Sequence, residues 1–233
     1  MSARRISDLP SEPAGAWLAP LSVMKRSLVL LFALCACGGT STDPGGGTQT
    51  LLVNGSVELQ DGGSSFFVEV RKGSIRITGA AVSFESGLGT TTLVGDAEGR
   101  YQGFASGWAS SYHLRVVAGD DNLDATILAP EAPSLVEPEP SVAFDPHLAE
   151  NGIVRLSWSG EAAQTIEVGT KDFKWGPNPD GGGVDVPATA FQDTTQQVRI
   201  ERKNETPLAG GTAGSQLEAR ADTRTDLTIV NPF

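Results

Sequence analysis

An all-β chain, built as two tandem antiparallel β-sandwiches behind a short N-terminal leader and a flexible tether, is what these 233 residues predict. Three observations carry that expectation. Apolar residues recur with a period of two: Phe66, Val68 and Val70, then Ala80, Val82 and Phe84, then Tyr112, Leu114 and Val116, each alternating with more polar neighbours as half-buried strands require. Turn formers punctuate these runs, from Asn54-Gly55 and Asp61-Gly62-Gly63 through Lys72-Gly73-Ser74 to Gly119-Asp120-Asp121. Sustained three-to-four spacing is missing beyond residue 37, and the best helical candidate, Phe144 to Glu150, is barely two turns.

Taken in chain order, the first element is an address. Lys25 and Arg26 precede an apolar run from Ser27 to Ala36, about half the roughly 20 residues that a spanning helix needs, so the run reads as a cleavable signal. Its end, Leu34-Cys35-Ala36-Cys37, resembles the lipobox of bacterial lipoproteins, with an aliphatic residue three before the cysteine and a small one directly before it. The resemblance implies that residues 24–36 are removed and that Cys37 becomes the lipid-bearing first residue, held in the membrane by its acyl chains. Cys35 does not fit, because bulky Leu34 precedes it. Asp8, Glu12 and three prolines ahead of Met24 are out of place in a working signal, so residues 1–23 read as an upstream extension with translation starting at Met24. Gly38, where inner-membrane retention typically uses Asp, points by the same resemblance to the outer membrane of a bacterial envelope.

Residues 37–50 are rich in Gly, Ser and Thr and read as the tether. The whole chain carries a formal charge of −11, and everything after residue 36 holds 13 basic against 26 acidic side chains. Such a surface repels phosphate backbones, which excludes nucleic acid as a partner. The chain has two cysteines. With Cys35 lost in the signal and Cys37 acylated, no thiol remains for a disulfide, a zinc site or a nucleophile.

The first sandwich is expected over residues 51–129. Its stretches Thr78 to Phe84, Gly95-Asp96-Ala97-Glu98-Gly99-Arg100-Tyr101 and Tyr112 to Gly119 resemble the transthyretin-like, or carboxypeptidase-regulatory-like, modules of bacterial surface proteins. That resemblance implies a packing unit with a core tyrosine at Tyr101, and brings no catalytic residue with it. Four prolines between Ala129 and Pro140 predict an extended spacer over 130–141. In residues 142–233 Val154, Leu156 and Trp158 alternate with Arg155, Ser157 and Ser159, followed by Ile166 with Val168, Val198 to Arg202, Leu217 to Ala221 and Leu227 to Val230. This pattern is similar to a fibronectin type III or related immunoglobulin-like sandwich, with Trp158 as its core tryptophan.

Chemistry-bearing residues are sparse. His113 and His147 are the two histidines, and no Gly-x-Ser-x-Gly elbow accompanies them. Asp120-Asp121-Asn122-Leu123-Asp124 and the run from Asn178 to Asp185 gather oxygen ligands without the spacing of a calcium loop, and read as turns. No metal or other cofactor is expected, and no enzyme. Trp108 and Trp175, with Tyr101, are the candidates for ligand contact, because flat rings stack on the apolar faces of sugars; capping of the sandwich ends is the competing role. Arg155, Arg199, Arg202 and Lys203 read as part of a solvated, mixed-charge face interrupted by Glu201 and Glu205. The expected role is a structural, adaptor or protein-binding module on a lipid anchor, or alternatively a glycan-binding one. A hydrolase with an unfamiliar site is the remaining class. If Cys37 bears the lipid, Cys37→Ala shifts the protein from the detergent phase to the aqueous phase in cloud-point partitioning and leaves the signal uncleaved; unchanged partitioning would remove the anchor from the account.

Overall fold

Residues 42–233 are described by the computed structural model; the expected signal sequence, Met24 and Cys37 lie outside the described residues. The alternating runs form the strands their periodicity predicts. In order they are β1 (Asp43–Gly47), β2 (Leu52–Gln60), β3 (Gly63–Lys72), β4 (Ile75–Arg76), β5 (Ala81–Ser86), β6 (Gly89–Thr92), β7 (Val94–Gly95), β8 (Arg100–Ser106), β9 (Ser111–Ala118) and β10 (Asp121–Leu128). There follow β11 (Ser134–Glu137), β12 (Ile153–Ser159), β13 (Thr165–Gly169), β14 (Lys174–Asn178), β15 (Gly183–Pro187), β16 (Thr195–Pro207) and β17 (Gln216–Thr228). Among the described residues helical structure is limited to short 3₁₀ turns, two of them at Pro146–Leu148 and Glu150–Gly152 where the weak helical spacing lay, and no helix is long and apolar enough to cross a membrane. The chain is all-β.

Its apolar side chains gather in two cores, and one sheet backs both. The five-stranded sheet β1-β10-β9-β5-β6 covers the first core, and the three-stranded sheet β11-β12-β15 covers the second. Opposite them runs a nine-stranded sheet in the order β14-β13-β16-β17-β2-β3-β8-β7, with β4 beside β3. In the first core Phe66 stacks on Phe84 with centroids 4.7 Å apart, and Tyr112 meets Phe66 edge-on at 5.6 Å. Phe144 meets Phe191 edge-on at 5.2 Å in the second. Such aromatic pairs add roughly 0.5–1.5 kcal/mol each to the area they bury.

Continuity comes from β16 and β17, thirteen residues each, paired along their whole length from Thr195↔Thr228 to Pro207↔Gln216. The beginning of β17 lies parallel to β2, Gln216↔Asn54 to Arg220↔Glu58, so the C-terminal part of the chain builds the first sheet. Inward-facing side chains change core along each strand. On β16, Val198 and Ile200 enter the second core, Arg202 lies at the waist, and Leu208 just beyond the strand enters the first. On β17, Leu217 and Ala219 enter the first core, Ala221 lies opposite Arg202, and Leu227 enters the second. The sequence reading broke this strand into Leu217–Ala221 and Leu227–Val230, because the polar run Asp222 to Asp226 hides the alternation. Odd-numbered residues keep facing inward through that run: Thr223 is half-buried, and its hydroxyl donates to the Pro133 carbonyl at 2.7 Å.

At the waist Arg202 and Asp180 form an ion pair of 2.7 Å with both side chains only 1% exposed. Asp180 also accepts from the Trp158 indole at 2.8 Å and from the Ala163 and Gly182 amides at 3.2 Å each. Burial alone would push its carboxyl up, yet these donors and the guanidinium outweigh it and hold it below the usual carboxylate range. Arg202 directs two further N–H groups to the carbonyls of Glu131 and Gly160. The segment expected as a spacer is thus strapped down through its carbonyls. Leu128 O accepts from Asn204 Nδ2, Pro130 O from the Trp108 indole, Glu131 O from Arg202 and Pro133 O from Thr223. Proline supplies no N–H but keeps its carbonyl, which suits a strap held by side-chain donors. Beyond it, apolar Leu135 draws Ser134–Glu137 into β11, paired to β12.

The tether is shorter than its composition implies, since Asp43–Gly47 is already β1, paired to β10. Its glycines serve close approach. Gly45 has φ +74°, and a Cβ there would meet the Asp124 carbonyl oxygen at 1.6 Å; one on Gly210 would meet the Gly46 carbonyl oxygen at 1.9 Å.

Removing one partner of a buried pair leaves the other uncompensated, so Asp180→Asn is expected to lower the unfolding free energy by about 3 kcal/mol, with Arg202→Met/Asp180→Leu regaining much of it. Because the native carboxyl is held low, its contribution is complete above the unfolded-state value of about 3.9 and is lost as the pH falls through the native value. Urea titrations should therefore show the gap between wild type and Asp180→Asn constant near pH 6 and closing below about pH 4.

Candidate functional site

The two tryptophans singled out from the sequence are both half-buried and packed against neighbouring aromatic rings. Trp108 follows β8, tilts against Tyr112 with centroids 5.4 Å apart, and donates its indole N–H to Pro130 O at 3.0 Å. Tyr112 in turn accepts from the Ala109 amide at 2.7 Å and shares a 2.5 Å bond with Ser64, which donates to the Gly107 carbonyl. Trp108 closes the end of the first core and ties it to the strap. Trp175 lies within β14, its residue paired with Val168, and tilts against Trp158 at 6.4 Å. The two rings pack on different cores and are not brought together. Tyr101 is buried, donating to Ile77 O at 2.7 Å and accepting from the Ala80 amide at 2.9 Å.

The other candidates are also taken up by local structure. His113 Nδ1 pairs with the Thr126 hydroxyl across β9 and β10, and His147 stacks on Phe233 with centroids 3.9 Å apart. Asp121 accepts from Lys72 and from the Thr50 hydroxyl, and these bonds hold its carboxyl below the usual range. In the second acidic run, Asp180 is the waist carboxylate and Asp185 pairs with exposed Arg155. Among the described residues no three His, Cys, Asp or Glu side chains converge as metal ligands. Arg202 leaves the solvated face it was assigned to and points inward, because it shares the phase of Val198 and Ile200.

The candidate surface is the outer face of the nine-stranded sheet. Even-numbered strand residues of β8 and odd-numbered ones of β3 face outward there, and they include two aromatic rings that composition did not single out. Phe67 is 36% exposed and Phe104 57%. Phe67 pairs with Gln102 and Phe104 with Ser65, which makes the rings diagonal neighbours. Phe104 lies over Gly63, where a Cβ would meet the ring at 2.2 Å, so the glycine gives the ring its seat. The signal was present in the sequence: Phe66 and Phe67 cannot both face inward, and a buried Tyr101 turns Gln102 and Phe104 out. Along the same face runs a ladder of alternating charge, Lys174 with Glu167, Arg199 with Glu201 and Asp222, and Arg220 with Glu218 and Glu58.

No protein-family model matches the chain, and no curated protein matches it either.

Trp108→Phe keeps the ring and deletes the donor to Pro130; a loss of about 1 kcal/mol in chemical denaturation is expected from one hydrogen bond. A change in stability below measurement would dissociate Trp108 from the strap.

Proposed function

We propose that this protein is a lipid-anchored module of a bacterial cell envelope, facing partners from the outer membrane and acting by non-covalent contact as an adaptor or structural element, without turnover. The anchor is Cys37, as the lipobox resemblance implies. The observation that carries the contact role is the pair Phe67 and Phe104, two exposed rings that are diagonal neighbours on the shared sheet. Large exposed apolar groups rimmed by polar ones mark surfaces that meet another molecule. Ser65 and Gln102 supply that rim, and a shallow depression of about 480 Å³ lies between them and the rings. The shared sheet supports a spacing role as well, because the strapped waist leaves no free hinge between the cores.

A photoreactive residue placed at Gln102 in intact cells tests this reading. A defined adduct should form, and Phe67→Ser/Phe104→Ser should abolish it while shifting the melting temperature little. Absence of any adduct, or one indifferent to the double substitution, would remove this face from the proposed role.

A further inference from the structure

The nine-stranded sheet ends on an edge that is only partly closed. β7 pairs Val94 and Gly95 with Gln102 and Tyr101 of β8. One residue earlier the chain lies outside the sheet: Leu93 is buried, and its amide donates to Val82 O of the facing sheet at 2.9 Å. β8 continues to Ser106 without it. The Arg100 carbonyl accepts from the Asp96 amide on the β7 side, so even-numbered residues of β8 direct their N–H and C=O groups to that side and odd-numbered ones direct theirs to β3. Phe104 and Ser106 therefore present two donors and two acceptors, repeating at about 7 Å, to a place where no strand lies.

Three features describe what fits there. The open stretch is walled by apolar side chains rather than by charge. Val94, 78% exposed, stands at one end beside Gln102, and Leu88, 54% exposed, stands at the other, where a Cβ on Gly107 would meet its Cδ1 at 3.1 Å. Phe104 lies between them, and the depression beside its ring is lined by uncharged residues, Ser65 and Gln102 among them. The edge also lacks the devices that keep sheets from acquiring strands. Elsewhere β1 has Asp43 and Pro44, β11 is followed by Pro138, β14 has Lys174 and Pro177, and β15 has Asp185 and Pro187. β7, the open part of β8, and β6, whose Thr91 borders Gly103 from the facing sheet, carry neither proline nor charge. Finally, the opening suits one strand. Antiparallel pairing of two copies of this chain, with Phe104 opposite Ser106 of the second, would bring the chain beyond Ser106 in each against β7 of the other. A lone extended segment can end before β7 and meets no such conflict.

We infer that an extended, uncharged segment of a partner polypeptide adds to this edge as a further strand, hydrogen-bonded to the main chain of Phe104 and Ser106, with apolar side chains beside Phe104 between Val94 and Leu88. The inference rests on the reading of the protein as a contact module and gives that contact its chemistry. Main-chain hydrogen bonds hold the partner, and the rings of Phe67 and Phe104 form the outer wall against which its side chains lie.

The test pans a phage-displayed library of random dodecapeptides on the purified full-length protein and resynthesises the enriched sequences. They should alternate apolar with uncharged polar residues and lack proline within that stretch. Hydrogen exchange at the Phe104 and Ser106 amides should slow on binding, which contact with the rings alone does not produce. Methylating alternate backbone nitrogens of a peptide removes the donors on one of its two edges, and one of the two methylation phases should weaken binding roughly tenfold or more, the loss expected for main-chain hydrogen bonds. Ser106→Pro deletes an N–H that β3 does not use and should weaken binding comparably with both rings in place; if that variant folds poorly, the methylated peptides decide alone. Absence of enriched peptides, unchanged exchange at residues 104 and 106, affinity indifferent to methylation in either phase, or a dimer of this chain formed through the same edge overturns the inference. The adduct at position 102 separates the two readings. Its survival in Ser106→Pro leaves the adaptor role standing while the strand pairing falls, and its absence from cells while peptides still bind removes the adaptor role alone.

Discussion

A single buried guanidinium organises the centre of this molecule. Arg202 sits where a strand passes from one apolar core to the other, and its nitrogens reach the Asp180 carboxylate and two carbonyls from distant segments. Taking a guanidinium and a carboxylate out of water costs several kcal/mol per ion, and only dense hydrogen bonding recovers that cost. Each loop that meets at the waist must therefore be in place for the pair to be tolerable. The small side chain of Ala221 opposite leaves room for the guanidinium, and Gly160 has none at all: a Cβ there would meet Arg202 Nη1 at 2.4 Å. The interaction is better read as a specifier of arrangement than as a source of stability. It makes one relative placement of the cores satisfiable.

The strands themselves were legible because period-two alternation survives in Phe66 to Val70, Tyr112 to Val116 and Val154 to Trp158. All three runs lie in strands with those apolar residues buried. What was not legible is how the strands share sheets. Pairing of β17 with β2 joins residues 216–220 to residues 54–58, and no local pattern encodes a contact across such a separation. Arg202 was readable in principle, since it continues the inward phase of Val198 and Ile200. Charge suggested solvent, and the partner that makes burial possible lies 22 residues away in a run that looks like a turn.

The surface followed the same logic. Tryptophans attract attention as binding residues, yet Trp108 and Trp158 each carry one N–H that must find an acceptor when buried, and here those donors fasten the strap and the waist. The rings left for contact are phenylalanines, which need no acceptor and sit where strand phase turns them outward. Charges on the shared sheet alternate in sign along each strand, Arg199, Glu201, Lys203 and Glu205 on β16 and Glu218, Arg220, Asp222 and Arg224 on β17, which keeps a broad face soluble without making it adhesive to ions.

β1 has a mechanical consequence. It carries only Asp, Pro and Gly, so it contributes no side chain to either core and is held at the sheet edge through its backbone. Five residues drawn out of that pairing lengthen the chain by about 17 Å. Tension applied from the N-terminal side would be absorbed by this slack before it reached the packed interior, making the glycine-rich edge a reversible shock absorber.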